Sequence, residues 1–226
     1  MALHDLLYRC PLCGTDPTEP GGGPDEVRCP TCGARMTWQP EPPAGSEGEA
    51  GRVDVETPGG EGSGSVPIHL LTQRIAAMGG PIPAALGEGG VLGASAEIRL
   101  RWVEREAAVR YRKSVLGFRE LLGRAGEAAR LELDGSVLQV WPVSKEGGEG
   151  SGGRPRHRWH VGDIRALQAM TSALQLSLAD GSVVLLAFEE ASARRWDDLL
   201  RAAMQRVRAR EGEDVISEFQ PRVRGR

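Results

Sequence analysis

The chain lacks most of the features by which a sequence declares a chemistry. No run approaches the roughly 18 consecutive apolar residues of a membrane-spanning helix, and the start, MALHDLLYRC, lacks the basic and then apolar order of a secretory signal. Aromatic residues make up only 4% of the chain. No cysteine occurs beyond position 32, whereas a secreted disulfide protein distributes its cysteines through the fold. The expected location is therefore the cytoplasm. No Ser or Cys stands in a recognisable nucleophile turn, and no phosphate-binding glycine motif opens a helix after a strand. Asp197 and Asp198 are adjacent on an exposed face of a predicted helix, a solvated-surface arrangement and not a converging acid pair. The expectation is a protein that is not an enzyme, with no small-molecule substrate.

What is present is unevenly spread. Thirty-one Gly and fifteen Pro mark joints between folded segments. The net charge of −3 is a sum of unlike parts. Lys plus Arg against Asp plus Glu is 3 to 5 over residues 1–40, 1 to 6 over 41–66 and 24 to 20 over 67–226. The mild basicity of the last part falls short of the field of a dedicated nucleic-acid binder. Residues 41–66, containing PEPPAGSEGEAG and TPGGEGSGS, have almost no large apolar side chain and read as a flexible acidic linker between a module at 1–40 and the rest.

After the linker, Ile68, Leu71, Ile75 and Met78 recur at helical spacing behind Pro67, predicting a short amphipathic helix within 67–95, the remainder of which is irregular. From Ala96 the period changes to two. Ile98, Leu100 and Trp102 alternate with Arg99 and Arg101, and Val109 and Tyr111 alternate with Arg110 and Arg112. Asp134-Gly135 and Asp180-Gly181 each separate two apolar runs, which predicts two hairpins. Strand candidates also fall near 156–161 and 164–170, with a Gly/Ser-rich loop at 145–154, while 113–130 reads as either helix or bent strand. Trp196, Leu199, Leu200, Ala203, Met204 and Val207 then form one apolar stripe of a helix N-capped by Ser192. Residues 211–226 read as a flexible tail.

The cysteines carry the sharpest signal. Cys10-Pro11-Leu12-Cys13-Gly14 and Cys29-Pro30-Thr31-Cys32-Gly33 are two knuckles of one form, with fifteen residues between the pairs. A two-residue gap lets both thiolates of a pair turn toward one point, and the following Gly permits the close turn around sulfur. Each pair supplies half a tetrahedron. Over residues 7–38 the chain resembles the zinc-ribbon family, and carried over by motif position the metal ligands are Cys10, Cys13, Cys29 and Cys32. The resemblance implies a structural zinc ion. Rubredoxins share the knuckles and bind iron, but place aromatic residues between them, and the stretch TDPTEPGGGPDEVR has none. A thioredoxin-like redox role needs one C-x-x-C at a helix start, a setting this sequence does not supply.

The Leu174–Phe188 hairpin followed by the Trp196 helix makes residues 96–210 resemble pleckstrin-homology and GRAM-like domains. The resemblance implies an antiparallel β domain closed by a C-terminal amphipathic helix, with Trp196 as a core plug. About eight strand candidates stand where that fold has seven. It also places basic side chains near the first strands, here Arg99, Arg101, Arg110, Arg112 and Lys113, although alternating Arg is the ordinary solvated face of a strand. His157 and His160, three apart on a strand, project to opposite faces and do not form a metal pair. The expected whole is a zinc ribbon flexibly tethered to a PH-like domain, acting as an adaptor whose partner is another protein. Nucleic acid bound through the ribbon, and an anionic membrane surface bound through the β domain, are the alternatives. Against nucleic acid, Arg9, Arg28 and Arg35 face five carboxylates in the ribbon, and Trp38 and Tyr8 are its potential stacking aromatics.

Overall fold

The computed structural model describes residues 2–39, 51–78, 93–111, 114–122, 126–143 and 154–211; over 104–122 and at 211 it describes the backbone alone. The N-terminal part begins with a single helical turn, α1 (Leu3–Leu6), and continues as β1 (Glu19–Pro20), β2 (Glu26–Arg28) and β3 (Arg35–Gln39). β2 and β3, on either side of the second cysteine knuckle, bury Val27 and Met36.

The sheet does not stop there. β4 (Arg52–Glu56) and β5 (Gly64–Pro67) add to its edge, giving five antiparallel strands in the order β1-β2-β3-β4-β5. The expected linker at 41–66 is thus corrected for its second half, while residues 40–50 lie outside the described residues. The cause is a short alternation hidden by charge. In Arg52-Val53-Asp54-Val55-Glu56 only the two valines face inward, and both are buried. The outward residues pair across the sheet: Gln39 donates to the Asp54 carboxylate at 2.8 Å, and Arg52 donates through Nε to the Ser65 hydroxyl at 3.1 Å. Trp38 lies over Gly51, where a Cβ would meet its ring at 2.0 Å. Helix α2 (Ile68–Ala77) follows directly on β5, with Pro67 at its N-cap and with Leu71 and Ile75 buried, as the spacing predicts.

The second part opens with the long strand β6 (Gly93–Tyr111), three residues earlier than the alternation indicated. It is followed by β7 (Ser114–Leu122), β8 (Glu127–Asp134), β9 (Val137–Pro142) and β10 (His157–His160). A 3-10 turn at Val161–Asp163 leads to β11 (Ile164–Ala169), β12 (Ala173–Leu178) and β13 (Val183–Phe188), and helix α3 (Ala193–Glu211) ends the described chain. Of the ambiguous stretch at 113–130, the described residues 114–122 and 127–130 are therefore strand. Seven strands run in the order β10-β9-β8-β6-β13-β12-β11, all antiparallel, and β7 pairs only with β6. That arrangement accounts for the eighth strand candidate. It belongs to a hairpin extending β6 beyond the seven-stranded path.

Both Asp-Gly hairpins form. Gly135 and Gly181 take positive φ, 59° and 85°, which only glycine adopts without strain, and Asp180 accepts from both the Ser182 amide and hydroxyl. β6 is central because it pairs with β8 through Gly93–Leu100 and with β13 through Ile98–Trp102. Its inward residues Ile98 and Leu100 face Leu131, Leu176 and Leu186 in one core. Helix α3 covers that core: Trp196 is fully buried and stacks on Phe188 with ring centroids 5.9 Å apart. The β unit is thus a seven-stranded antiparallel sheet closed by a C-terminal helix, a PH-like architecture.

The two parts share one contiguous apolar core, in which Leu3, Leu7 and Tyr8 join the residues of α3. Ser192 caps α3 by accepting the Arg195 amide at 3.2 Å and donates its hydroxyl to the Asp5 carbonyl at 2.7 Å. The Tyr8 hydroxyl donates to the Asp198 carboxylate, and Arg195 Nε donates to Asp16, 2.9 and 3.0 Å from its two oxygens. The ribbon is docked, not loosely tethered.

Trp196→Ala removes the largest fully buried side chain and should lower unfolding stability by about 3–5 kcal/mol, read as a fall in the urea midpoint. Trp196→Phe should cost much less, because the indole Nε1 is buried without a hydrogen-bond partner and its loss leaves no donor to satisfy.

Candidate metal centre

Each knuckle is built by the same two backbone hydrogen bonds. In the first, the Cys10 amide donates to Thr15 O at 2.8 Å and the Gly14 amide to Cys10 O at 2.9 Å; in the second, the Cys29 amide donates to Ala34 O at 2.8 Å and the Gly33 amide to Cys29 O at 3.0 Å. These turns close only with a positive φ at the residue after the second cysteine, and Gly14 (78°) and Gly33 (71°) supply it. The repeated C-P-x-C-G form in the sequence is the signature of this turn.

The two knuckles face each other so that all four sulfurs lie within 4.8 Å of one another. Cys10 Sγ is 3.7 Å from Cys32 Sγ, and Cys13 Sγ is 3.5 Å from Cys29 Sγ. Disulfide bonding would need about 2.05 Å, so the cysteines are free thiols. Four sulfurs each about 2.3 Å from a central ion would be separated by roughly 3.8 Å in a regular tetrahedron. The 3.7 and 3.5 Å separations lie close to that figure, and the donor set fits a four-coordinate ion. The four predicted ligand positions are thus brought together.

The thiols are not equivalent. Burial pushes Cys10 up, out of the ordinary thiol range. For Cys13, partial burial is outweighed by hydrogen bonds from the Thr15 hydroxyl and amide and from the other thiols, which bring it down to about 6. Cys10 and Cys29 are buried and Cys13 is exposed, so the site lies at the surface with one ligand on its outer edge. Around it the apolar packing amounts to Cys10, Cys29 and Ala34, with Cys32 against them. Such a cluster has no hydrophobic core of its own, so metal–sulfur bonds would have to hold the knuckles.

Neighbouring elements brace both turns. Met78 Sδ sits 3.6 Å from where a Cβ on Gly14 would lie, and Pro58, in the β4–β5 turn, sits 2.9 Å from one on Gly33. The sequence reading missed this second layer because Pro58 stands in the supposed linker. The contacts that join the first knuckle to α3 were likewise invisible. Burial, with the charge and hydrogen bond of Asp198 behind it, pushes the Tyr8 hydroxyl far above its ordinary value. Burial also raises Asp198, against the hydrogen bond from Tyr8, and raises Asp16, against its Arg195 partner. Raised carboxyls favour the docked state while protonated, below about pH 3.8, and lose that contribution as pH rises through their raised values. At neutral pH the contact therefore depends on Tyr8 and Arg195 to hold two buried negative charges.

The other sequence candidates fall elsewhere. His157 and His160 diverge as predicted: His157 stacks on Trp159 with centroids 5.6 Å apart and meets Trp102 edge-on at 5.1 Å, whereas His160 accepts from the Gly162 amide at 3.3 Å. Burial, with Arg156 adding to it, lowers His157, consistent with a neutral ring in an aromatic cluster. Arg99 pairs with Glu189 at 2.5 Å, and Arg101 is half-buried with its Nε unpaired among the described residues. Arg110 is described only by its backbone, and Arg112 and Lys113 lie outside the described residues.

No family model matches the chain, and no curated protein matches it. Among solved structures it is similar to the N-terminal PH domain of human ARAP2, at 13% identity and a TM-score of 0.35, over 62% of this chain and 100% of that one. It is also similar to the pleckstrin homology domain of ArhGAP27, at 16% identity and a TM-score of 0.34, over 50% of this chain and 100% of that one. The PH domain from TgAPH aligns at 13% identity and a TM-score of 0.34, over 49% of this chain and 81% of that one. What fold and site give together is a seven-stranded antiparallel sheet closed by a C-terminal helix, joined to a small N-terminal sheet with a four-cysteine cluster.

Two outcomes check this centre. Purified protein should carry one metal ion per chain by elemental analysis, and Cys29→Ser should abolish it. Gly33→Ala, at a positive φ and against Pro58, should lower the stability of the loaded protein by about 1–2 kcal/mol. Gly59→Ala, with nothing within 4 Å of its Cβ, should leave it unchanged.

Proposed function

We propose that this protein is a non-enzymatic cytoplasmic adaptor in which a structural zinc ion holds the ribbon and the partner is another protein. The observation that carries the structural reading is the closed donor set. Four thiolates at tetrahedral separation complete the coordination of zinc and leave no position for a water or substrate. Zinc suits the site better than redox-active iron because no aromatic residue packs between the knuckles along the chain.

The fate of the ribbon's polar and aromatic side chains favours protein over nucleic acid. Of its three arginines, Arg9 is buried and donates to Gly14 O at 2.9 Å, and Arg35 pairs with Glu26 at 3.2 Å. Tyr8 is buried against α3, and Trp38 is spent on Gly51. Little remains to neutralise phosphates or to stack bases. Of the basic side chains offered to an anionic membrane, Arg99 is already paired with Glu189. By contrast Leu12, between the two ligands of the first knuckle, is 37% exposed, and the metal would present it on a rigid turn.

Affinity purification from the native host, with metal analysis of the same sample, tests the reading. The expected result is a zinc-containing protein that retains a specific protein partner, with Leu12→Ser weakening the retention at unchanged zinc content. Recovery with nucleic acid in a salt-sensitive manner, or flotation with anionic vesicles and no protein partner, would overturn it.

A further inference from the structure

We propose that metal occupancy of the four-cysteine site controls the docking of the first knuckle on α3, so that the ion latches the ribbon to the β domain. This rests on the four-cysteine metal reading above. The geometry behind it is that one short loop carries both halves of the connection. Cys10 and Cys13 are metal ligands, while Tyr8, two residues before the first, and Asp16, three after the second, make the contacts to Asp198 and Arg195. Asp198 and Arg195 are three apart on α3 and so share one helical face.

Tyr8 is anchored by the shared apolar core, so what the loop's hydrogen bonds and the metal fix is the register of the Cys10–Asp16 turn against α3. Arg9 Nε and the Cys10 amide tie its two ends, at 2.9 Å to Gly14 O and 2.8 Å to Thr15 O, and Thr18 donates to Leu7 O at 2.5 Å. Apolar packing around the sulfurs is confined to Cys10, Cys29, Ala34 and Cys32. Removing the ion therefore loosens the loop, and with it the fit of the Asp16 carboxylate and of the hydroxyl end of the core-packed Tyr8, two buried polar groups that tolerate no loose fit. The Asp16 side chain is 0% exposed, and its Arg195 partner 16%; a displaced pair is better solvated apart than half-docked. Binding linkage makes the effect mutual: whatever loosens the docking must also loosen the metal.

The test uses the full chain, first shown to hold one zinc ion, and follows amide hydrogen exchange before and after removal of the ion with a chelator. Exchange should accelerate in residues 8–18 and at the start of α3, around Arg195–Leu199, while the β12–β13 hairpin stays protected. In the reciprocal arm, Arg195→Ala and the milder Tyr8→Phe should each weaken zinc affinity, read as equilibrium competition with a chromophoric chelator, by roughly tenfold for Arg195→Ala, a size usual for coupled sites. Unchanged protection of α3 after confirmed metal loss overturns the latch while leaving the metal reading intact. So does a zinc affinity that neither variant alters. Loss of protection in β12 and β13 together with α3 also overturns it, because the ion would then support the whole fold. Protein that holds no metal at all overturns both readings.

Discussion

Helix α3 has to satisfy two surfaces at once, and the rest of the structure is arranged around that constraint. Its apolar stripe, led by Trp196, closes the sheet core through Phe188. Its first turn and a half presents Ser192, Arg195 and Asp198 to the ribbon. Amphipathicity explains the first surface directly. The second is a set of polar groups on what an isolated helix would leave in water, and it is stable only because Asp5, Tyr8 and Asp16 meet each one.

The metal centre illustrates how a fragment with almost no core can still be rigid. The sheet beneath it has Val27, Met36, Val53 and Val55 to bury, but the knuckles stand off that core with little more than their own cysteines. Sulfur–metal bonds would replace apolar burial as the cohesive term there. Four sulfurs within 4.8 Å would repel one another as thiolates, and a divalent cation would offset that repulsion while fixing their directions. The glycine after each pair and the bracing by Met78 and Pro58 then keep the turns from relaxing.

Docking changes what the ribbon can offer a partner. A freely tethered module would present all its faces, with Tyr8, Arg9 and Trp38 available for recognition. Here Tyr8 and Arg9 are buried and Trp38 covers Gly51, while the knuckle edge at Leu12 and Cys13 stays exposed. The avidity of two modules on a string gives way to a single composite surface whose geometry is set in advance.

Local chemistry made much of this legible in the amino-acid order. The four ligands, the glycines of their turns, the two Asp-Gly hairpins, helix α2, the Ser192 cap and the Trp196 stripe all follow from short-range spacing, because each depends on residues within a few positions of one another. What sequence could not show was decided at long range. Val53 and Val55 look like isolated apolar residues in an acidic stretch until β3 pairs with them. Residues 114–122 and 127–130 became strand because β6 offered them an edge. Asp16 and Arg195, or Tyr8 and Asp198, lie far apart in the chain and have no shared period by which to recognise each other. The sequence by itself determined that the cysteines could chelate and that α3 would cover a sheet; only the tertiary structure decided that they would join, because burying a charge depends on the partner that arrives to meet it.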